Sequence, residues 1–290
     1  MVSAAIKLSW PATRQFWEVP ILYEDEHLLA LDKPGGLPTA PVPEAPDCPS
    51  LALLLHLGIA QAKPWAACAG RTWLRNAHRL DAEATGILLL AKSKPVLATL
   101  RDWFGAENPG RKFVALAHGV HAENHFEINA RLAHDPIHRG RMRVDARHGK
   151  HSRTLCDVLE RFAGWTLLQC EPLTDRAHQV RIHLGYAGLP LAGDRIYGGP
   201  PLLLSKLKSY YRLKPNQTER PLLDRAALHA QTFALPHPVT GLPLTITSPW
   251  PKDLAVAVKY LRRYAPPGPQ PRGVQGFVQE LTGTTPPASS

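Results

Sequence analysis

Strand-length apolar runs recur along the chain, separated by short clusters of turn-forming residues. Ile21-Leu22-Tyr23 and Leu28-Leu29-Ala30-Leu31 flank Glu24-Asp25-Glu26-His27, which predicts a hairpin. Asp32-Lys33-Pro34-Gly35-Gly36 ends the second strand in a tight bend. Ser50 is placed to cap a short helix through Leu51, Leu54, Leu55 and Leu57. Ile87 to Ala91 is a continuous apolar run, preceded by turn chemistry at Thr85-Gly86. Ser93, with Pro95 in the first turn, opens a helix whose buried face is Leu97, Leu100 and Phe104. Strands follow at Arg111 to Ala117, Thr154 to Phe162 and Trp165 to Glu171, the last two joined at Ala163-Gly164. A helix runs from His178 to Ala187 and closes at Gly188. Strands return at Ala227 to Leu235 and Leu242 to Thr247, and Asp253 caps a helix to Tyr264. Strands outnumber regular β-then-α alternations, so the pattern predicts α+β with a mixed, largely antiparallel sheet.

Charge then changes the picture. Lys plus Arg total 34 against 24 Asp plus Glu, a net charge of +10, which suits a polyanionic partner or plain solubility. The most basic stretch is His134 to Arg153, with Arg139, Arg141, Arg143, Arg147, Lys150 and Arg153; it reads equally as an RNA-backbone contact or a solvated hairpin. Four cysteines in 290 residues form no C-x-x-C pair, which points to a reducing, cytoplasmic setting. No apolar run reaches membrane-spanning length. Histidine spacings lack zinc-type partners, and neither a P-loop nor a dinucleotide fingerprint occurs, so neither a metal nor a nucleotide cofactor is expected.

Two stretches carry candidate chemistry. In His78-Arg79-Leu80-Asp81 an Arg and an Asp stand two apart before the Ile87 to Ala91 run. The second stretch is Thr174-Asp175-Arg176-Ala177-His178-Gln179-Val180-Arg181-Ile182-His183-Leu184, continuing through Gly193-Asp194-Arg195-Ile196-Tyr197-Gly198. Together they resemble the RluA-type family of RNA pseudouridine synthases, whose patterns are H-R-L-D-x-x-T-S-G, T-G-R-T-H-Q-I-R-x-H-L and G-D-x-x-Y-G. Tyr23-Glu24-Asp25, Lys33 to Leu37, Gly149-Lys150 and Leu228-His229-Ala230 match in the family's order, so the resemblance covers about Ile21 to Pro251.

The resemblance implies a pseudouridine synthase catalytic fold with a central basic cleft. It also implies a cofactor-free reaction: uridine in tRNA or rRNA is flipped out, detached at N1 and rejoined through C5. By position Asp81 is the catalytic carboxylate and Arg176 its partner, an Arg being always charged and able to grip a carboxylate with two N–H groups. Arg79 matches the Arg that displaces the base. Phe113 stands where the family has Tyr: its ring can stack on uracil or pack in the core, and the hydroxyl is absent. Ile182 and Leu184 are pocket wall or core; Lys33, Arg139, Arg141, Arg143 and Lys150 are phosphate-contact candidates. Asp175, where the family has Gly, is expected to cap the following helix. The expected layout is an N-terminal extension at 1–18, one catalytic domain at 19–264 with an insertion near 200–225, and a mobile Pro/Gly/Ser/Thr-rich tail at 265–290. A monomer is expected. Two rivals stand beside this reading. One is a catalytically impaired RNA-binding relative, suggested by Phe113, Asp175 and Ala177. The other is a carboxylate hydrolase using Glu83 with Asp81.

Overall fold

The computed structural model describes residues 5–42, 47–108, 110–213 and 217–266. In chain order the strands are β1 (Ala5–Trp10), β2 (Gln15–Glu24), β3 (Leu28–Lys33), β4 (Arg75–Asn76), β5 (Thr85–Ala91), β6 (Arg111–His118), β7 (His125–Asn129), β8 (Leu132–His134), β9 (Met142–Val144), β10 (Arg153–Phe162), β11 (Trp165–Pro172), β12 (Leu228–Pro236) and β13 (Pro243–Thr247). The helices are α1 (Leu51–Ala60), α2 (Pro64–Ala67), α3 (Lys94–Gly105), α4 (Gln179–Tyr186), α5 (Leu204–Leu207) and α6 (Lys252–Tyr264). One eleven-stranded sheet runs β1-β2-β3-β5-β12-β6-β11-β10-β7, with β13 on β12 and β4 on β5; β8 and β9 form a separate hairpin. All described pairings are antiparallel except β5 with β12, where His229 faces Thr85 and Ala230 faces Gly86. The fold is therefore α+β with a mixed, largely antiparallel sheet.

The continuous apolar runs are explained by burial on both faces. From β3 and β5, Leu29, Leu31, Leu88 and Leu90 pack with Leu51, Leu54 and Leu55 of α1. Leu28, Ala30, Ile87 and Leu89, one position out of phase, pack with Val96, Leu97, Leu100 and Phe104 of α3. At the other half of the sheet, Val114, Leu116 and Leu167 meet Leu254, Ala257, Val258 and Leu261 of α6. Leu202 and Leu223 from the 200–225 insertion are buried in that same cluster, so part of the insertion is core.

Several local expectations are revised. Residues 5–18 are not a bare extension: β1 and β2 pair from Ala5↔Pro20 to Trp10↔Gln15 and lengthen the sheet. Thr85 and Gly86 begin β5 rather than forming a turn before it. Ser50 accepts from the Leu53 N–H at 3.3 Å as a cap should, whereas Ser93 occupies the cap position of α3 without a side-chain bond. Pro251 takes the cap position of α6, while Asp253 sits in the first turn and binds Arg225 through two hydrogen bonds of 2.8 and 2.9 Å. Residues 267–290 of the expected tail lie outside the described residues.

Gly86 is where the parallel pairing demands a glycine. Its φ is +104°, and an added Cβ would lie 2.2 Å from the Ala230 carbonyl oxygen. Gly86→Ala is expected to destabilise the protein by at least about 2 kcal/mol, from backbone strain plus displacement of β12. Urea unfolding measures this; a change within about 0.5 kcal/mol would contradict the packing described for this junction.

Candidate active site

The 78–83 loop leaves β4 and enters β5 beside the parallel junction, and alternate residues anchor it. His78 is buried, its Nε2 accepting the Leu89 N–H at 3.1 Å and its ring lying against Phe104 and Phe233. Burial first, then the nearby Arg111 charge, push its pKa down to about 3, so the ring is neutral. Leu80 is fixed through its backbone: Thr39 Oγ1 accepts its N–H and donates to its carbonyl. The Ala82 carbonyl accepts from Gly36 N–H at 2.8 Å and from Lys33 Nζ at 3.1 Å. Between these anchors Arg79 is exposed and Asp81 half-buried, at the pocket.

The guanidinium on Asp81 belongs to Arg181. Its Nη1 donates to Asp81 Oδ2 at 3.1 Å, its Nη2 lies 3.5 Å from Glu83 Oε2, and two 2.7 Å bonds hold Asp194 in a fork. Arg181 is only 2% exposed. Burial pulls its pKa down, but the hydrogen bond to Asp194 and the charges of Asp81 and Asp194 outweigh that together, and the net shift is upward. Asp194 in turn accepts from the backbone N–H groups of Ile196 and Tyr197, which fixes the turn after α4.

Arg176, expected in this role, is not the partner of Asp81: its Nη1 donates to the Asp175 carbonyl at 3.3 Å. The cause is helical placement. Residue 176 precedes α4, while residue 181 lies within it and turns inward. A signal for Arg181 existed in the sequence, because an arginine among Val180, Ile182 and Leu184 in a helix must bury with a partner. Asp175 does not cap α4, whose cap position is His178 with no side-chain bond; it stands 3.4 Å from Arg111 Nη1 instead. Lys33 is fully buried, its Nζ donating to the carbonyls of Pro34, Leu37 and Ala82, so it holds the loop and does not meet phosphate. Burial lowers its pKa to about 7, with Asp81 opposing.

A cleft is lined by Asp81 together with Leu80, Phe113, Val180, Leu228 and Phe233, and also by Arg79, Arg111, Asp175 and Arg176. Phe113 is 8% exposed and tilts against Phe233 at 6.3 Å between centroids. Ile182 and Leu184 do not line it: Ile182 packs with Leu132 and Met142, and Leu184 joins the main core. An adjoining hollow, sharing Arg79 and Asp81, brings Arg101 and Arg176 to the rim. Arg139, Arg141, Arg143 and Lys150 are exposed on and around the β8–β9 hairpin. Among the described residues no cluster of metal-ligating side chains occurs, and no helix is long and apolar enough to cross a membrane.

A half-buried carboxylate paired to a buried guanidinium, in a cleft also lined by Arg79, Arg111 and Arg176, can do acid–base or nucleophilic work on a polyanion. Comparison with known proteins places the chain among isomerases that act on RNA. Residues 27–186 match the family described as RNA pseudouridylate synthase, and the chain belongs to that family. It is 36% identical over 243 residues to the ribosomal large subunit pseudouridine synthase D of Nitrosomonas europaea, covering 83% of this chain and 65% of that one. It is 32% identical over 244 residues to synthase C of Escherichia coli (strain K12), covering 83% and 70%. The chain thus spans about two thirds of the length of these relatives. In fold it is similar to human RNA pseudouridylate synthase domain containing 4, with a TM-score of 0.62 at 21% identity over 83% of this chain and 92% of that one.

The two arginines are separable by stability. Arg181→Met leaves Asp194 buried without its partner and is expected to cost about 3–5 kcal/mol. Arg176→Met is expected to cost less than about 1 kcal/mol. Equal losses in urea unfolding would contradict the assignment.

Proposed function

We propose that this protein isomerises uridine to pseudouridine in ribosomal RNA. The observation that carries the reading is the Asp81–Arg181 pair at 3.1 Å on the floor of a cleft whose rim bears Arg79, Arg101 and Arg176. A uridine swings out of the RNA into the cleft, and Arg79, exposed and beside Asp81, takes the place it leaves. The uracil lies on the apolar wall that includes Phe113, held by stacking alone since Phe has no hydroxyl to offer. Asp81 acts on the ribose, either on C1′ as nucleophile or on the C2′ proton as base. The N1–C1′ bond breaks, the base turns, and C5 bonds to C1′. Asp81 is released from C1′, or returns the C2′ proton, the C5 proton leaves to solvent and N1 takes one up, so atoms balance without a cofactor. Arg181 keeps the carboxylate oriented and its negative charge compensated throughout. Ribosomal RNA is favoured because the bacterial relatives are ribosomal large subunit pseudouridine synthases.

Single-turnover release of tritium from RNA labelled at uracil C5 is the test. Wild type is expected to release tritium, and Asp81→Asn to be slower by at least about 10^3-fold with RNA binding retained. Binding without release from any ribosomal RNA would support the impaired-relative reading instead, and an unaffected Asp81→Asn would end the assignment. The hydrolase reading requires Glu83, which instead accepts the Ala226 N–H at 3.3 Å and leans on Arg181.

The β8–β9 hairpin is proposed as a contact to the RNA backbone. Replacing Arg139, Arg141 and Arg143 together by Ala is expected to weaken RNA binding and flatten the slope of log K against log salt by about 2. An unchanged slope would remove the hairpin from the interface.

A further inference from the structure

His178 stands at the cap position of α4 with φ +55°, a left-handed backbone that a non-glycine residue adopts only at a cost in strain. Such strain persists only where neighbours fix it, and it clusters where function needs it. Here the fixing neighbour is Tyr197, whose hydroxyl lies 2.6 Å from His178 Nδ1. The hydroxyl oxygen already accepts the Met142 N–H at 3.1 Å. With that acceptor position engaged, the hydroxyl is free to donate its own proton to Nδ1, which then accepts. A neutral ring that accepts at Nδ1 carries its proton on Nε2. That Nε2 stands 3.8 Å from Asp81 Oδ1, the oxygen that Arg181 leaves untouched. The Tyr197 ring also covers the Arg181 guanidinium at 5.1 Å, so one side chain orients both groups that flank the carboxylate.

We propose that His178, with its tautomer set by Tyr197, is a positioning residue that aims Asp81: its Nε2–H closes on Oδ1 as a uridine fills the cleft. With Arg181 on Oδ2 and His178 on Oδ1, the carboxylate keeps one direction of approach toward the ribose. A separation of 3.8 Å is short enough for this closure, since catalytic hydrogen bonds commonly shorten when substrate binds. The proposal rests on the reading of Asp81 as the catalytic carboxylate.

It carries a pH signature. The charged groups acting on His178 are Asp81, Arg181, Asp194 and Arg79, and the titratable Tyr197 hydroxyl is bonded to it. Burial is the largest influence and lowers its pKa; Arg181 and Arg79 act the same way, while Asp81 and Asp194 oppose. The ring is thus neutral at neutral pH. Protonation turns the light N–H contact into an ion pair that ties up the Asp81 lone pairs. The rate then falls as pH drops through the His178 pKa. The Tyr197 bond favours the neutral ring, so removing it raises that pKa and moves the acid limb to higher pH.

The experiment is single-turnover tritium release from about pH 5 to about pH 9, with RNA Kd measured separately, for wild type, Tyr197→Phe and His178→Asn. Asn is chosen because it tolerates left-handed backbone. Tyr197→Phe is expected to be about tenfold slower at neutral pH, with its acid limb displaced upward and its RNA Kd within about twofold of wild type. His178→Asn is expected to lose that limb. A Tyr197→Phe profile lowered equally at all pH, with the limb unmoved, would mean a merely structural role and overturn the proposal. Should His178→Asn fail to fold, imidazole 15N spectra of wild type and Tyr197→Phe decide: protonation at Nε2 in wild type and a tautomer mixture in the variant support it, and protonation at Nδ1 in wild type sinks it. No tritium from wild type is a separate result, and it overturns the isomerase reading itself.

Discussion

The structure is organised around a buried arginine that must not be left alone. Arg181 is taken almost wholly out of water, which for an isolated guanidinium would cost several kcal/mol. Asp194, Asp81 and Glu83 converge on it from two parts of the chain about a hundred residues apart. Asp194 alone provides the bidentate bond that makes burial tolerable. The half-buried Asp81 takes one hydrogen bond from Arg181 on Oδ2, and its second oxygen faces His178 Nε2 at 3.8 Å. This division separates the work: Asp194 anchors the cation, and the cation presents Asp81.

The placement of Asp81 depends equally on backbone. Thr39, Gly36 and Lys33 all bond to the main chain between Leu80 and Ala82, so the Lys33 to Leu37 segment is a brace for the loop. His78 does the same from inside the core. The parallel junction of β5 and β12 lies just behind, and Gly86 lets the two backbones approach closely. Residues that look chemically active in the sequence are here mechanical. The Asp81 carboxylate itself is among the less tightly held groups of the site.

Much of this was legible in the chain. Apolar runs bounded by turn residues mark most of the strands of the sheet, and Leu97, Leu100 and Phe104 of α3 are buried as their spacing predicts, because burial on both faces leaves a strong local pattern. Asp81 and Phe113 fall on the cleft as their motif positions implied. What escaped was pairing across sequence distance. Arg176 and Arg181 are equivalent by residue type, and only the start of α4 decides which turns inward. Lys33 reads as a cation for solvent, yet three carbonyls from a tight bend draw it into the core. Asp175 found Arg111 rather than a helix end, because Arg176, Ala177 and His178 separate it from α4 and the Gln179 N–H at the start of that helix goes to the Arg176 carbonyl. The β1–β2 hairpin leaves no such pattern, since its strands are half-exposed and Pro11 and Arg14 interrupt the run between them.

The central claim is that a uridine leaves the RNA and enters the cleft above the Asp81–Arg181 pair. A crystal structure of the protein bound to RNA carrying 5-fluorouridine at a modified position tests this most directly. The account predicts the fluorinated base lodged against Phe113, its ribose within contact distance of Asp81, and Arg79 in the gap left in the RNA. A base still stacked in the RNA, or bound elsewhere on the protein with Asp81 facing empty solvent, would contradict it.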